Sequence, residues 1–435
     1  MARKMKDSGI EWIGEIPEGW EVHRMKSCIS QRDGGAWGDE ATGETGDCIC
    51  LRIADFDYEH FRFTDSNNLT IRHYAAPIIK KLLLQKNDIL IEKSGGGEKT
   101  PVGRTVLFDK EYPALFANFM DRLRCSDFIF PQYLQYVFVT FYKNRYTQNY
   151  IKQTTGIQNL DLSSMLADEF VPVPNLNEQK LIVCYLESKC SKIDNLLSKT
   201  RSSIEEYKKF KQAVITQAVT KGVRGEREMK DSGVEWIGEI PVNWTIQRFA
   251  RVAEVKSNLV SPDNYLEYPQ ISPENIEKDS GKLLLPCRTV AEVGVISGNH
   301  LFYKGQILYS KIRPKLNKVC IAPFDGLCSA DMYPIESKND TRYIMYCILS
   351  NGFLQQVSMI TENRVKMPKI NQVELSKVLV AIPETIAEQK EIADYLDAKC
   401  TEIDGLIAKK EQLVKELESY KKSLIYEVVT GKREV

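Results

Sequence analysis

Two stretches of this chain are nearly the same and lie 224 residues apart. Residues 5–20 read MKDSGIEWIGEIPEGW and residues 229–244 read MKDSGVEWIGEIPVNW, identical at thirteen of sixteen positions. A second pair follows in the same order, EQKLIVCYLESKCSKIDNLLSK from Glu178 and EQKEIADYLDAKCTEIDGLIAK from Glu388, with twelve of twenty-two positions identical at an offset of 210. Two matches in one order mark a duplicated half. The unit exceeds 200 residues, so this is not a solenoid of small repeats. Each half has a box with two tryptophans, a dissimilar middle, and a long segment with helical patterning. Alike ends and unlike middles suit one scaffold holding two different readers.

The long segments carry helix signals at both ends. Asn175 and Thr385 stand three residues before Glu178 and Glu388, the spacing of a capping box, with Pro172, Pro174 and Pro383 just upstream. Gly222 and Gly431 close them. Between these limits Leu186, Cys190, Ile193, Leu197, Thr200, Ile204, Tyr207, Lys211, Val214 and Ala218 form one stripe. Leu396, Cys400, Ile403, Ile407, Lys410, Val414, Leu417, Lys421, Leu424 and Val428 take the same places in the second copy. That is a heptad seam with polar breaks, on helices of about 43 residues and about 65 Å. Each could pack separately on its own domain. A seam this long exceeds what one domain of about 150 residues can cover, so the simpler expectation is that the two pair, antiparallel, as a coiled coil.

The spacing also relates the two chain ends. Eight residues separate Thr220 from Met229; five follow Thr430 and four precede Met5, so the ends look like the same linker cut open. The expected organisation is a box at 1–20, a first variable domain at 21–174, a helix at 175–222, linker and second box at 223–244, a second variable domain at 245–383 and a helix at 384–435. Both variable domains read as mixed α/β (α+β) and β-rich in their first halves. Segments 47–57, 88–92, 267–272 and 306–310 pattern as strands, and 131–150, 160–170, 341–357 and 371–380 as helices.

Composition sets limits. Of 435 residues, 43% are hydrophobic and 27% charged, which argues against disorder. Lys+Arg and Asp+Glu are both 59, so net charge lends no support to nucleic-acid binding, and only local patches could. No run of about 18 apolar residues occurs, and the first residues lack the apolar core of a signal peptide. Eleven irregularly spaced cysteines and four scattered histidines, His23, His60, His73 and His300, fit reduced buried thiols in a cytoplasmic protein better than a metal site.

The local patches lie in the variable domains. The loop after 88–92 carries Lys93, Ser94, Gly95, Gly96, Gly97, Lys99 and Thr100. Glycine lets a backbone approach a phosphate or base edge, and the flanking lysines suit phosphates. Arg145 and Lys152 lie in an acid-free stretch with Tyr142, Tyr146 and Tyr150, and Gln153 opens a polar run. In the second domain Lys311, Arg313, Lys315, Asn317 and Lys318 fall in a stretch without acids, and Arg364 and Lys366 lie in a second polar run. Each feature has a plainer reading: a hairpin, a solvated face, core tyrosines, and tryptophan boxes that pack the chain together.

Catalytic signatures are missing. There is no phosphate-binding G-x-x-x-x-G-K-[ST], no G-x-G-x-x-G after a strand and no Asn-Pro-Pro-aromatic motif, and Pro262-Asp263 has no Glu-x-Lys in the next thirty residues.

Together the MKDSG[IV]EWIGEIP boxes, the helices opening with Glu-Gln-Lys and the paired variable regions resemble the specificity subunit of type I restriction-modification systems, over essentially the whole chain. The resemblance implies a non-catalytic DNA reader in a bacterial or archaeal cytoplasm. Two target-recognition domains would each read one half of a split, asymmetric double-stranded site, and an antiparallel coiled coil would set the gap. It implies two methylation subunits and two restriction subunits as partners. S-adenosylmethionine, ATP and magnesium would sit on those partners, and this chain would hold no cofactor or metal. Lys93 to Thr100 and Ser310 to Lys318 resemble the family's loops that approach DNA. A triple glycine in one loop and Ile-Arg-Pro in the other imply unlike half-sites. The alternatives are a coiled-coil scaffold tethering two protein or RNA ligands, and a stand-alone nuclease or methyltransferase.

Overall fold

A computed structural model describes residues 3–64, 68–154, 156–364 and 366–435. The chain divides into two units, residues 1–199 with 413–435, and residues 200–412. The long helices are Leu176–Lys221 and Ile386–Val429, of 46 and 44 residues, and each contributes residues to both units.

In the first unit the box forms a small hairpin, Met5–Asp7 against Glu15–Pro17. Its Trp12 and Trp20 are buried. The strand Glu21–Arg24 leads into the variable domain and pairs with the strand leading out, Phe170–Val173. Between them lie a six-stranded and a four-stranded sheet. The six-stranded sheet centres on Ile89–Glu92, an ILIE run buried at every residue, with Met120–Cys125 on one side and Thr105–Leu107 on the other. The buried helix Pro131–Lys143 packs into the same core, opening with proline in its first turn.

The second unit repeats this plan. Met229–Asp231 pairs with Glu239–Pro241, and Thr245–Arg248 pairs with Leu379–Ile382. Two four-stranded sheets follow, one centred on Ile307–Ser310 between Val319–Ile321 and Met332–Ser337.

Residues repeated between the two halves tie each domain to the helices by similar bonds. The Gln179 amide accepts from Phe130 N–H at 2.6 Å and donates to Phe128 O and Pro174 O. The Gln389 amide accepts from Asp340 N–H at 3.0 Å and donates to Asn339 Oδ1. Both hold the N-terminus of a domain helix. Tyr133 Oη donates to Pro172 O at 2.7 Å and reaches Val429 O at 3.0 Å. Tyr343 Oη repeats this with Ala381 O at 2.8 Å and Val219 O at 3.3 Å. Each tyrosine thus joins its domain helix, the outgoing strand and the end of a long helix.

Asn175 and Thr385 cap the long helices, accepting from the N–H of Glu178 at 3.0 Å and Glu388 at 3.2 Å. The returning half of a capping box is diverted. Glu178 pairs with Arg3, and Glu388 with Arg227 and the Trp244 indole N–H. Gly222 and Gly431 end the helices with left-handed φ of +78° and +72°. A Cβ at Gly431 would overlap Pro17 and lie 3.1 Å from Trp20, so the chain's last residues sit against its first box; Gly222 lies against Trp244 in the same way.

The expected seam is buried at Leu186, Cys190, Ile193, Leu197, Thr200, Ile204, Lys211 and Ala218 and at Leu396, Cys400, Ile403, Lys421, Leu424 and Val428, but only half-buried at Tyr207, Val214, Ile407, Lys410, Val414 and Leu417. In each unit the pairing runs antiparallel: Lys421 meets Asp194 in the first, Lys410 lies over Tyr207 and Lys211 meets Asp404 in the second. All eleven cysteines are free, and burial pushes the seam thiols Cys190 and Cys400 up to about 11.

Several element limits differ from the sequence expectation. The helix expected over 131–150 stops at Lys143, because Arg145 turns left-handed and a 3-10 turn, Tyr146–Tyr150, follows. The helix expected over 341–357 breaks at Ser350, whose extended backbone lets its hydroxyl cap a second helix, Asn351–Thr361. The helix at 371–380 shortens to Gln372–Lys377, since Leu379–Ile382 is drawn into the strand against Thr245–Arg248. The tyrosines of 142–150 pack: Tyr142 donates to Pro101 O, Tyr146 stacks near Trp12 and Phe141, and Tyr150 donates to Glu169. No helix among the described residues is long and apolar enough to cross a membrane.

Candidate nucleic-acid interface

The two candidate loops occupy one topological position. Ile89–Glu92 turns through 93–104 into Thr105–Leu107, with Ile91 opposite Thr105. Ile307–Ser310 turns through 311–318 into Val319–Ile321, with Tyr309 opposite Val319. In both domains the first strand of this hairpin also pairs with a third strand, through Ile91 with Asp121 and Tyr309 with Tyr333. A fully buried strand leaves its connecting loop as the part that can face a ligand.

Each loop is held by main-chain bonds to the segment before the short helix. Leu160 N–H donates to Lys93 O at 2.8 Å and Gly95 N–H to Gln158 O at 3.1 Å, while Ser94 Oγ donates to Asn159 Oδ1 at 2.7 Å. In the second domain Ile370 N–H donates to Lys311 O at 2.9 Å and Arg313 N–H to Pro368 O at 2.8 Å. The loop thereby meets the polar run at Gln158 in the first domain and the residues just after the run, Pro368 and Ile370, in the second. Lys152 and Gln153 lie on the strand Ile151–Thr154, opposite Asn159 and Gln158.

The three glycines have different reasons. Gly95 has φ of +124°, which favours glycine. A Cβ on Gly96 would lie 2.7 Å from Thr100 O and Val102 N. Gly97 has open space, and Glu98, Lys99 and Thr100 form an exposed tip. Lys99, Thr100 and Arg145 line one cleft of about 370 Å³ with Lys143 and Arg104, walled by Tyr58, Phe61 and Tyr142. Arg104 binds Glu92 through two bonds of 2.7 and 2.9 Å and lies 3.7 Å from the Tyr58 ring centre. Burial pushes the Glu92 carboxyl up, and the Arg104 guanidinium opposes that shift.

Other candidates are already engaged. Lys93 Nζ lies 2.6 Å from Asp121 Oδ1, and Arg32 Nε lies 2.7 Å from Oδ2 of the same buried carboxylate. Arg32 also donates to Ser163 at 2.9 Å. It is a surface cation beside the loop that sequence reasoning missed, because it sits on a different strand. Lys152 pairs with Asp161 at 2.7 Å, and this ammonium together with the Ser164 N–H holds the Asp161 carboxyl at about 2.

In the second domain Lys311 Nζ lies 5.1 Å from the Tyr333 ring centre. Arg313, with φ of +45°, Lys315 and Lys366 are exposed. Asn317 does not belong at a surface: it is 2% exposed, left-handed, and its amide donates to Leu349 O at 3.2 Å, so it shapes the loop. Lys318 Nζ donates to Pro273 O at 2.6 Å, and Arg364 is bound by Glu374 and Lys369 O. Among the described residues no group of three or more His, Cys, Asp or Glu stands where it could hold a metal.

The arrangement is a pair of polar, partly cationic hairpins on rigid sheets. Comparison with known proteins bears on the family and the fold. The family model for the type I restriction modification DNA specificity domain matches residues 46–206 and again 241–416. The EcoDI specificity subunit of Escherichia coli is 38% identical over 242 residues, 52% of this chain and 54% of that one, so this match spans about half of that relative. The putative MjaX specificity subunit of Methanocaldococcus jannaschii is 26% identical over 97% of this chain and 95% of that one. Two solved chains share the fold at 13% identity. One, from "Structural basis underlying complex assembly and conformational transition of the type I R-M system", has a TM-score of 0.70 over 96% of this chain and 99% of its own. The other, the HsdS subunit of Thermoanaerobacter tengcongensis, has 0.51 over 96% and 98%. With two matches to one family model covering most of its length, the chain belongs to the type I restriction-modification DNA specificity family.

Proposed function

We propose that this chain is the DNA-reading, non-catalytic subunit of a type I restriction-modification enzyme. Each variable domain reads one half of a split, asymmetric site through its hairpin and the adjoining polar run. The paired helices set the gap between the halves and dock two methylation subunits, which two restriction subunits join. S-adenosylmethionine, ATP and magnesium belong to those partners. In this reading Lys99, Thr100, Arg145 and Gln153 face DNA in the first domain, and Lys311, Arg313, Lys315 and Lys366 in the second.

One observation supports this most: two domains present the same hairpin, held by the same main-chain bonds, with different side chains. A common frame with changed side chains is what reading two different half-sites requires. Co-expression with the neighbouring reading frames and pull-down tests the partners. A complex containing a methylation subunit is expected; isolation of the chain alone would refute that part. In that complex, Arg313→Ala should weaken specific binding by about 1–3 kcal/mol if the guanidinium reads a base, and by less if it meets phosphate.

A further inference from the structure

The two hairpin loops share a position but not a charge. Lys311 to Lys318 carries four cations and no acid, whereas Lys93 to Thr100 carries Lys93, Lys99 and one acid, Glu98. The first residue of each loop sharpens the contrast. Lys93 and Lys311 both follow the central strand, and each side chain reaches back to the residue opposite Ile91 or Tyr309 on the next strand, Asp121 in one domain and Tyr333 in the other, while the nearby Asp331 is paired with Lys369. The Lys93 ammonium is 2.6 Å from a carboxylate whose side chain is 3% exposed. The Lys311 ammonium rests over a ring, which orients it without cancelling its charge. Arg313 and Lys315 are exposed, and among the described residues neither has a carboxylate partner.

We propose that the second domain is the electrostatic anchor of the DNA-reading function. Its hairpin, Lys311 to Lys318, supplies the larger share of salt-dependent affinity, and the first domain's hairpin reads with little net charge. This rests on the DNA-reading function argued above. Salt dependence counts the cations that displace counterions from phosphates. For Lys93 to do so it must leave Asp121, a buried carboxylate then served by Arg32 alone. Lys311 leaves only a ring face.

The test is a matched pair of substitutions at equivalent positions, made in the chain assembled with its methylation subunit. Binding of a labelled random-sequence duplex is measured between about 50 and about 200 mM salt. Lys311→Gln should lower the slope of log K against log salt by about 0.9, the value of one phosphate contact, and Lys93→Gln by less than half of that. Asp121→Asn, which frees Lys93 and Arg32, should raise the slope. Asp121 is buried and that variant can fail to fold, so the two lysine variants, both at half-buried positions, decide the matter by themselves. Equal losses, or a greater loss from Lys93→Gln, would overturn the division between domains while leaving DNA binding intact. No salt-dependent binding by the unsubstituted complex would overturn the DNA reading itself.

Discussion

Lys211 Nζ lies 2.9 Å from both carboxylate oxygens of Asp404, on the opposite long helix. Its counterpart 210 residues later, Lys421, lies 2.6 and 2.8 Å from the oxygens of Asp194 and also donates to Glu59 O. Both lysines are polar breaks in an apolar seam, 5% and 9% exposed. A buried ammonium needs a partner, and a helix slip of one heptad would strand both. The reciprocal exchange, lysine of each helix to aspartate of the other, fixes the antiparallel register by charge as well as by shape.

Breaking one pair is therefore costly. Lys421→Met leaves the half-buried Asp194 without its cation and should destabilise the chain by about 1–3 kcal/mol in equilibrium denaturation. Adding Asp194→Leu should recover most of that loss. A double variant as unstable as the single one would show that the lysine matters through its bond to Glu59 O.

The two tyrosine knots should be equivalent. Tyr133→Phe and Tyr343→Phe each remove a hydroxyl bound to an outgoing strand and a helix end. Each should cost about 1–3 kcal/mol, because buried carbonyls lose a donor. Thermal unfolding of the two variants should show similar shifts; a large loss at one and none at the other would break the equivalence.

The closing glycines should differ in severity. Alanine in the left-handed region costs about 1–2 kcal/mol at either position. At Gly431 the added Cβ also meets the Pro17 ring, while at Gly222 it meets the movable Arg227 side chain first, at 3.0 Å. Gly431→Ala should lower the melting temperature more than Gly222→Ala.

Much of this scaffold was legible before any coordinates. The repeated Glu-Gln-Lys and the glycine stops placed both long helices within a few residues, since caps and heptads are local signals. The role of Gln179 and Gln389 was not, because the helix N-termini they hold, through Phe130 N–H and Asp340 N–H, lie about 50 residues away. Tyr133 and Tyr343 stand at the same 210-residue offset as the helix match, a signal that was readable and missed. At the interface the sequence located both hairpins but could not see which cations were already paired. Lys93, Lys152 and Arg364 look free in a linear reading and are ion-paired in space. Asn317 looked like a donor for bases and is buried.

His300 gives the second domain a pH dependence. It is 3% exposed, and burial, aided by the Lys311 charge, lowers its pKa below the ordinary histidine value. The unfolded chain then takes up a proton first as pH falls, so this group favours unfolding below about pH 6.5 and has no effect well above it. The stability gap between the unsubstituted chain and His300→Gln should narrow from pH 7.5 to pH 5.5. A constant gap would mean that His300 stays neutral in both states or charges in both.

The most direct measurement of the central claim is the map of methylated bases in the DNA of cells expressing this chain with a methylation subunit. One motif of two unlike half-sites separated by a fixed gap is the expected result. Substituting Arg313 and Lys315 should weaken or alter methylation at that motif. Methylation of a continuous motif, or methylation unchanged when the chain is left out, would contradict the account.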